Sequence, residues 1–173
     1  MRKVLLLIAI SVFSLSCGYS TRSTLPSNYR TIYVNPFKNN ILYDKEGSRN
    51  LYLPLLEQKV RNAIINRFLF DGALKIAKSE QADLILKGEL INYERGGLRF
   101  TDEDNVQEYR ITITVSLELW DPVKQEVVWS ESSFSGEATY IVSGAQAKSE
   151  DTAVAEAITD LARRVVERTV EDW

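Results

Sequence analysis

The stretch from Gln107 to Asp121 is the feature that most restricts how this chain can fold. Its odd positions are apolar from Tyr109 to Leu119, and its even positions are polar from Arg110 to Glu118. Successive side chains of a β-strand point to opposite faces, so this pattern predicts a long strand with one buried and one exposed face. A chain built around such a strand needs a second layer that covers the apolar side.

Two segments have the three- and four-residue spacing of amphipathic helices. The first begins near Pro54 and ends at Asp71-Gly72, and the second follows Ser149, a plausible N-cap. The apolar stripe of the first helix contains Leu56, Val60, Ala63, Ile64 and Phe68. The stripe of the second contains Val154, Ala157, Ile158, Leu161, Val165 and Thr169.

The remaining pattern predicts further strands. Short strands are expected at Arg30–Val34 and Leu74–Ala77, a long one at Ala82–Glu94, and an edge strand at Glu126–Thr139. We expect Arg95–Val106, with its Gly-Gly pair and acidic cluster, to form a long hairpin loop. The predicted fold class is therefore α/β (α+β), a two-layer sandwich with two helices on one face of a mostly antiparallel mixed sheet of about four strands.

The first residues predict an export signal with a lipidated cysteine. A basic start at Arg2 and Lys3 precedes an uncharged apolar run from Val4 to Leu15, which is too short to span a bilayer as a helix. The only cysteine, Cys17, follows directly, although Ser14 stands where lipoprotein signals usually carry Leu. An ordinary cleaved signal or a lone thiol are the alternatives. We expect residues 1–16 to be a signal peptide, 17–29 a lipidated tether and 30–173 a single domain.

Composition restricts the chemistry available to the chain. The sequence has no histidine, which excludes nucleophile–His triads and His-based metal sites. Asp102, Glu103 and Asp104 lack the spacing of a calcium loop and are expected at a solvated loop tip. The formal net charge of −3, with no basic tract, argues against a nucleic-acid partner. We therefore predict a protein that is not an enzyme and has no metal or cofactor.

Aromatic residues along the predicted strands are candidate contact residues, because they bury large areas at low entropic cost. They are Trp120, Trp129, Tyr93, Tyr109 and Tyr140. Cross-strand packing is the alternative that we favour for most of them. The exposed sheet face as a whole remains a candidate partner surface.

Several phrases, in order, resemble the LptE-like lipopolysaccharide-assembly lipoproteins of Gram-negative outer membranes. The likeness covers nearly all of the chain after the predicted signal. The phrases are Cys17-Gly18-Tyr19, Leu25-Pro26, Tyr33-Val34-Asn35-Pro36-Phe37, Ala82-Asp83-Leu84 and Glu108-Tyr109-Arg110-Ile111, followed by an Ala-rich final helix.

The resemblance implies a protein that is lipid-anchored in the outer membrane, faces the periplasm and plugs an LptD-like β-barrel. Together the two proteins would deliver lipopolysaccharide to the cell surface. The resemblance implies that two basic residues contact lipopolysaccharide. The one before the last helix is matched by Lys148, for which a solvated lysine beside a helix start is the alternative. The family's second basic residue corresponds to Thr101, which is not basic. Arg99 lies on the other side of Phe100 and is the basic residue that could take its place. Another periplasmic lipoprotein of similar fold, such as a peptidoglycan-synthase activator or a secretion-channel subunit, is the alternative.

The polar side of the central strand then becomes the predicted contact surface with the barrel. Its apolar side is expected to lie under both helices, which leaves the even positions free to meet a partner. These positions are Arg110, Thr112, Thr114, Ser116 and Glu118.

Overall fold

A computed structural model describes residues 25–41 and 53–171 of the chain. The predicted signal peptide, Cys17 and most of the predicted tether lie outside the described residues. The strands are β1 (Thr31–Val34), β2 (Lys38–Asn39), β3 (Lys75–Ile76), β4 (Leu84–Phe100), β5 (Val106–Asp121) and β6 (Glu126–Ile141). The helices are α1 (Leu56–Asp71) and α2 (Glu150–Val170), and a short 3₁₀ turn covers Ser79–Gln81.

The strands form one mixed sheet in the order β3-β1-β4-β5-β6, with β2 also paired to β4. Strands β1 and β2 run parallel to β4, whereas β4, β5 and β6 form an antiparallel meander. The predicted α+β two-layer fold is confirmed. The sheet has six strands rather than about four, because β2 and β3, each two residues long, add to the longer ones. Strand β3 lies within the short strand predicted at Leu74–Ala77, whereas β2 lies between the predicted first strand and first helix, where no strand is predicted.

Both helices cover the same face of the sheet. Helix α2 packs on β5 and β6, whereas α1 packs on β1, β3 and α2. The apolar side of β5, from Ile111 to Leu119, is buried against this layer, as its alternation predicts. The buried residues of α1 are Leu56, Val60, Ile64 and Phe68, which repeat at four-residue spacing.

Helix α2 lies very close to strand β6 at Gly136. A Cβ atom placed there would come within 2.4 Å of the Leu161 backbone nitrogen and 2.6 Å of the Ala157 carbonyl oxygen. Only glycine permits this approach, because the obstructing atoms belong to helix backbone that cannot rotate away. The glycine therefore sets the distance between the layers.

The prediction of a long loop at Arg95–Val106 is wrong. Strand β4 continues to Phe100 and pairs with β5 through both glycines, with Gly96 opposite Arg110 and Gly97 opposite Tyr109. The pairing tolerates glycine because the ladder uses backbone groups alone, and a register shift next to Gly97 absorbs the local irregularity. The connection is reduced to a tight turn that Thr101 and Asn105 close with a 2.8 Å backbone hydrogen bond.

Candidate partner interface on the outer face

The side of β4, β5 and β6 that turns away from the helices is here called the outer face. All five predicted interface residues lie on it. Arg110 is exposed, and Thr112, Ser116 and Glu118 are half-buried by their neighbours. Thr114 is only 9% exposed, because Asn92 on β4 and Ser135 on β6 lie directly beside it. The centre of this face is therefore closely packed, although none of the described residues forms a layer over it.

Ion pairs tie neighbouring strands together across the outer face. Lys87 on β4 lies 2.7 Å from Glu118 on β5 and 4.6 Å from the centre of the Trp120 ring. Arg110 lies 3.7 Å from Glu137 on β6. Exposed pairs of this kind contribute little to stability, about 0–1 kcal/mol each. Their effect is to present a polar surface with matched charges.

Lys87 was not among the predicted interface residues. Its position follows from the alternation of Ala82–Glu94, in which Lys87 and Glu89 alternate with buried leucines. The sequence signal was present, but the mixed character of that strand's polar side made it weaker than the signal of β5.

The aromatic candidates divide between the two faces. Trp129, Tyr93 and Tyr140 are buried on the helix side, which agrees with the favoured packing explanation. Tyr109 is partly buried there and stacks on Tyr140 with ring centres 5.5 Å apart. Trp120 is the one of the five that lies on the outer face, where Lys87 covers it.

Arg99 and Lys148, the predicted lipopolysaccharide-binding residues, lie at the same end of the sheet. Arg99 is 3.3 Å from Glu108, and Glu108 is paired across the sheet with Ile141. The Lys148 amide donates to the Ile141 carbonyl, so the two basic residues flank one site near Glu108. Lys148 is also paired with Glu156 at 2.6 Å. An anionic ligand would have to compete with these carboxylates for both cations.

The start of α2 is fixed to the β4–β5 hairpin through Glu150. Its carboxylate forms a short ion pair with Arg95 and accepts hydrogen bonds from Tyr93 at 3.1 Å and Tyr140 at 3.4 Å. Burial, together with the negative charge of Glu150, raises the pKa of the Tyr93 hydroxyl well above its usual range, so it stays a donor at neutral pH. The hairpin is therefore held rigidly against the helix layer.

The opposite end of the sheet receives the chain from the N-terminal side. Tyr29 donates its hydroxyl to Asp121 at 2.8 Å, and Lys124 donates to the same hydroxyl at 2.9 Å. The Asp121 carboxylate also accepts from the Val123 and Lys124 amides, each at 2.9 Å. Burial acts to raise the pKa of Asp121, but these donors outweigh burial and the pKa is lowered. This cluster fixes where the predicted tether enters the domain.

The acidic residues of the β4–β5 turn lie exposed, as predicted. Asp104 adopts a positive φ of 60° there, and Asp102 and Glu103 face solvent. Among residues 25–41 and 53–171, no group of three or more acidic, cysteine or histidine side chains is placed to hold a metal ion. Within the same residues, neither helix is long and apolar enough to cross a membrane.

Comparison with known proteins gives a family and a fold. The family model LptE, for lipopolysaccharide assembly, matches residues 29–169. Protein XCC0632 from Xanthomonas campestris superposes with a TM-score of 0.58 at 16% identity, covering 86% of this chain and 90% of that one. Protein CT253 from Chlamydia trachomatis gives a TM-score of 0.54 at 13% identity, covering 82% and 95%.

At these identities the two structures show a shared fold and nothing further. No curated protein sequence matches the chain significantly. The family match spans both helices and all of the sheet, so it concerns the whole described domain. The chain belongs to the LptE family of lipopolysaccharide-assembly proteins.

Proposed function

We propose that this chain is the lipoprotein subunit of a lipopolysaccharide translocon in the outer membrane. It is anchored through acylated Cys17, faces the periplasm, occupies the interior of an LptD-like β-barrel and supports the assembly of that barrel. Its role in delivering lipopolysaccharide is binding and positioning, without a catalytic step. The observation that carries the proposal is the match of residues 29–169 to the lipopolysaccharide-assembly family.

The outer face supports the barrel contact. It is polar, and its main cations are paired with carboxylates, as in the Lys87–Glu118 and Arg110–Glu137 pairs. The lumen of a large membrane barrel is polar as well, so a surface of this kind is suited to pack there without burying unpaired charge. The helix layer closes the opposite side of the sheet and needs no partner for its core.

The arrangement of the two ends supports the anchor. The chain enters the domain at Tyr29, beside the end of β5, whereas Arg99 lies at the other end of the sheet. Strand β5 has 16 residues, which corresponds to about 50 Å at the usual rise per residue. Acyl chains on Cys17 would hold one end at the membrane and leave the Arg99–Lys148 end far from it.

Arg99 and Lys148 are the residues that we propose for lipopolysaccharide phosphate. Both are cations with exposed side chains, and a phosphate oxygen is a strong acceptor for either. Their present partners, Glu108 and Glu156, are single carboxylates that a multiply charged head group would displace. Binding is therefore expected to weaken as ionic strength rises.

The test is affinity purification of the tagged chain from detergent-extracted outer membranes. A large β-barrel should be recovered in a stoichiometric complex, and Cys17→Ala should move the chain out of the membrane fraction. Repeated recovery without a barrel would refute the proposed role. Recovery of a cell-wall synthase or of ring-shaped oligomers would instead support the alternative lipoprotein classes.

A further inference from the structure

Within the part of the chain that the structure describes, the second half of β4 is an open sheet edge. Strands β1 and β2 pair with the first half of β4, and the last of these contacts is the hydrogen bond from Asn40 to the Leu90 carbonyl. From Asn92 to Phe100, β4 pairs with β5 on one side and with no strand among the described residues on the other. An edge of this length is a ready template for another strand.

The other two edges of the sheet are protected. At the edge strand β6, the Glu137 amide donates to Asp160 of α2 at 3.2 Å, and Arg164 donates to the Ser135 carbonyl at 2.5 Å. The edge strand β3 is only two residues long. Natural sheets usually protect their edges in such ways, so the part of β4 that no described residue covers stands out within this fold.

The backbone groups that face this edge follow from the alternation of the strand. The Leu90 carbonyl points away from β5, and Leu90 has its side chain on the helix side. Beyond the register shift after Leu90, the residues with side chains on the helix side are Tyr93, Arg95 and Gly97. Their amide and carbonyl groups therefore point to the open edge, whereas those of Glu94 and Gly96 bond to β5.

The surface beside the edge has a defined chemistry. The missing side chain of Gly96 leaves a shallow depression on the outer face, which Gly97, Glu94, Leu98 and Arg110 border. Leu98 is 44% exposed, so one wall of the depression is apolar. Glu94 is exposed and has no basic residue of the described chain within ion-pair distance. A strand with a bulky apolar side chain above Gly96 and a basic residue near Glu94 would complement this surface.

A second copy of the chain fits less well. Two copies could pair antiparallel through this edge, along the regular stretch from Tyr93 to Gly97. The centre of that stretch is Arg95, so Arg95 of one copy would lie directly opposite Arg95 of the other. Like charges in that position destabilise a sheet. We propose that the open edge of β4 binds an extended segment of the barrel partner as an added strand, with an apolar side chain over Gly96. This proposal rests on the proposed function.

Hydrogen exchange measures the added strand directly. In the isolated chain, the amides of Tyr93, Arg95 and Gly97 should exchange fast, and in the purified complex with the barrel they should slow by at least about tenfold. The amides of Glu94 and Gly96 bond to β5 and serve as internal controls that are slow in both states. A complex in which the three edge amides still exchange fast would refute the added strand and leave the barrel association standing.

Two other outcomes also decide the question. Protection of the edge amides that appears in the isolated chain as its concentration rises would assign the edge to a second copy and overturn the barrel strand. Failure to recover any barrel would overturn the proposed function and this proposal together.

A substitution tests the depression. A Cβ atom at Gly96 would meet only the Glu94 carboxylate oxygen, at 3.9 Å, so Gly96→Val should fold normally. The new side chain would fill the space that the partner's side chain needs. In competition with the untagged wild-type chain for limiting barrel, Gly96→Val should bind at least about tenfold more weakly. Ala155→Val, on the exposed side of α2, adds similar bulk away from the sheet; it is the control and should compete like the wild type.

Equal competition by Gly96→Val and Ala155→Val would refute the docking of a side chain above Gly96. The folded state of both variants is checked by their circular dichroism and unfolding midpoints, so that loss of binding is not confused with loss of structure.

Discussion

Single glycines in this molecule have opposite roles that only their surroundings distinguish. At Gly136 a side chain would strike the backbone of α2, whereas at Gly96 the nearest atom to a new Cβ is a flexible carboxylate at 3.9 Å. Both residues lie in long strands, where glycine is intrinsically unfavourable. The first is therefore required by packing, and the second is available for contact with a partner.

The contrast predicts opposite effects of the same substitution. Gly136→Ala should lower the free energy of unfolding by about 1–3 kcal/mol, because β6 and α2 must separate to admit the methyl group. Gly96→Ala should raise it by up to about 1 kcal/mol, because alanine reduces the entropy of the unfolded chain. Urea unfolding of both variants and the wild type measures the difference. Equal stability of the two variants would contradict the close helix–strand approach at Gly136.

Asp121 predicts how the domain responds to acid. Its pKa is lowered in the folded state, so its contribution to stability is present above its unfolded value of about 3.9 and is lost as pH falls below it. The pKa of Asp83 is lowered as well, chiefly by the Arg30 amide, and it adds to the same trend. Urea unfolding between about pH 6 and pH 3 should show falling stability. Asp121→Asn should reduce that slope, and an unchanged slope would contradict the assignment.

At the scale of elements, the sequence predicted the strands and helices whose hydrophobic residues repeat with a regular period. The alternation in β5 and the stripe from Val154 to Thr169 gave a strand and a helix with the correct buried sides. The continuation of β4 through Gly96-Gly97 was missed, because glycine and charge suggest a turn when the pairing strand is not considered. The short strand predicted at Leu74–Ala77 is present as β3. Register shifts and the two-residue strand β2 were beyond prediction, since they depend on backbone contacts between distant segments.

The residues of the outer face were predicted only in part for the same reason. Periodicity assigned the five β5 positions to one face, and the structure places them there. It did not indicate that Lys87 and Glu94 on β4 share that face, because the strands had to be aligned in register first. The open edge of β4 was likewise not predicted, because an edge can be recognised only when the neighbours of every strand are known.

The attachment of the hairpin to α2 gives a prediction at this scale. Glu150→Ala would leave Arg95 without its partner in a site where both side chains are about one quarter exposed. We expect a loss of about 1–3 kcal/mol in the free energy of unfolding, because the hydroxyls of Tyr93 and Tyr140 also lose their acceptor. Glu156→Ala, on the same helix, removes only the exposed pair with Lys148 and should cost less than about 1 kcal/mol. Similar losses in both variants would contradict the anchoring role.

At the scale of the whole molecule, the helix layer and the outer face of the sheet differ in what they present to a partner. The helix layer buries the core and carries charged residues on its outer side, such as Arg163, which pairs with both Asp160 and Glu167. The outer face of the sheet has no covering layer among the described residues, and its centre is already closely packed around Thr114. A partner that encloses the domain would therefore contact two chemically different sides.

The difference between the two layers predicts on which of them a larger side chain should weaken binding to the barrel. Ser116→Trp places a large ring on the half-buried outer face, where it should leave the domain folded but reduce recovery of the barrel severalfold, because the interface has no space for it. Ala155→Trp adds the same ring to an exposed position of α2 on the opposite layer and should reduce recovery less. The measurement is the amount of barrel that copurifies with each tagged variant after equal expression and confirmed folding. Greater sensitivity at Ala155 would reverse the orientation, with the helix layer rather than the sheet as the main contact.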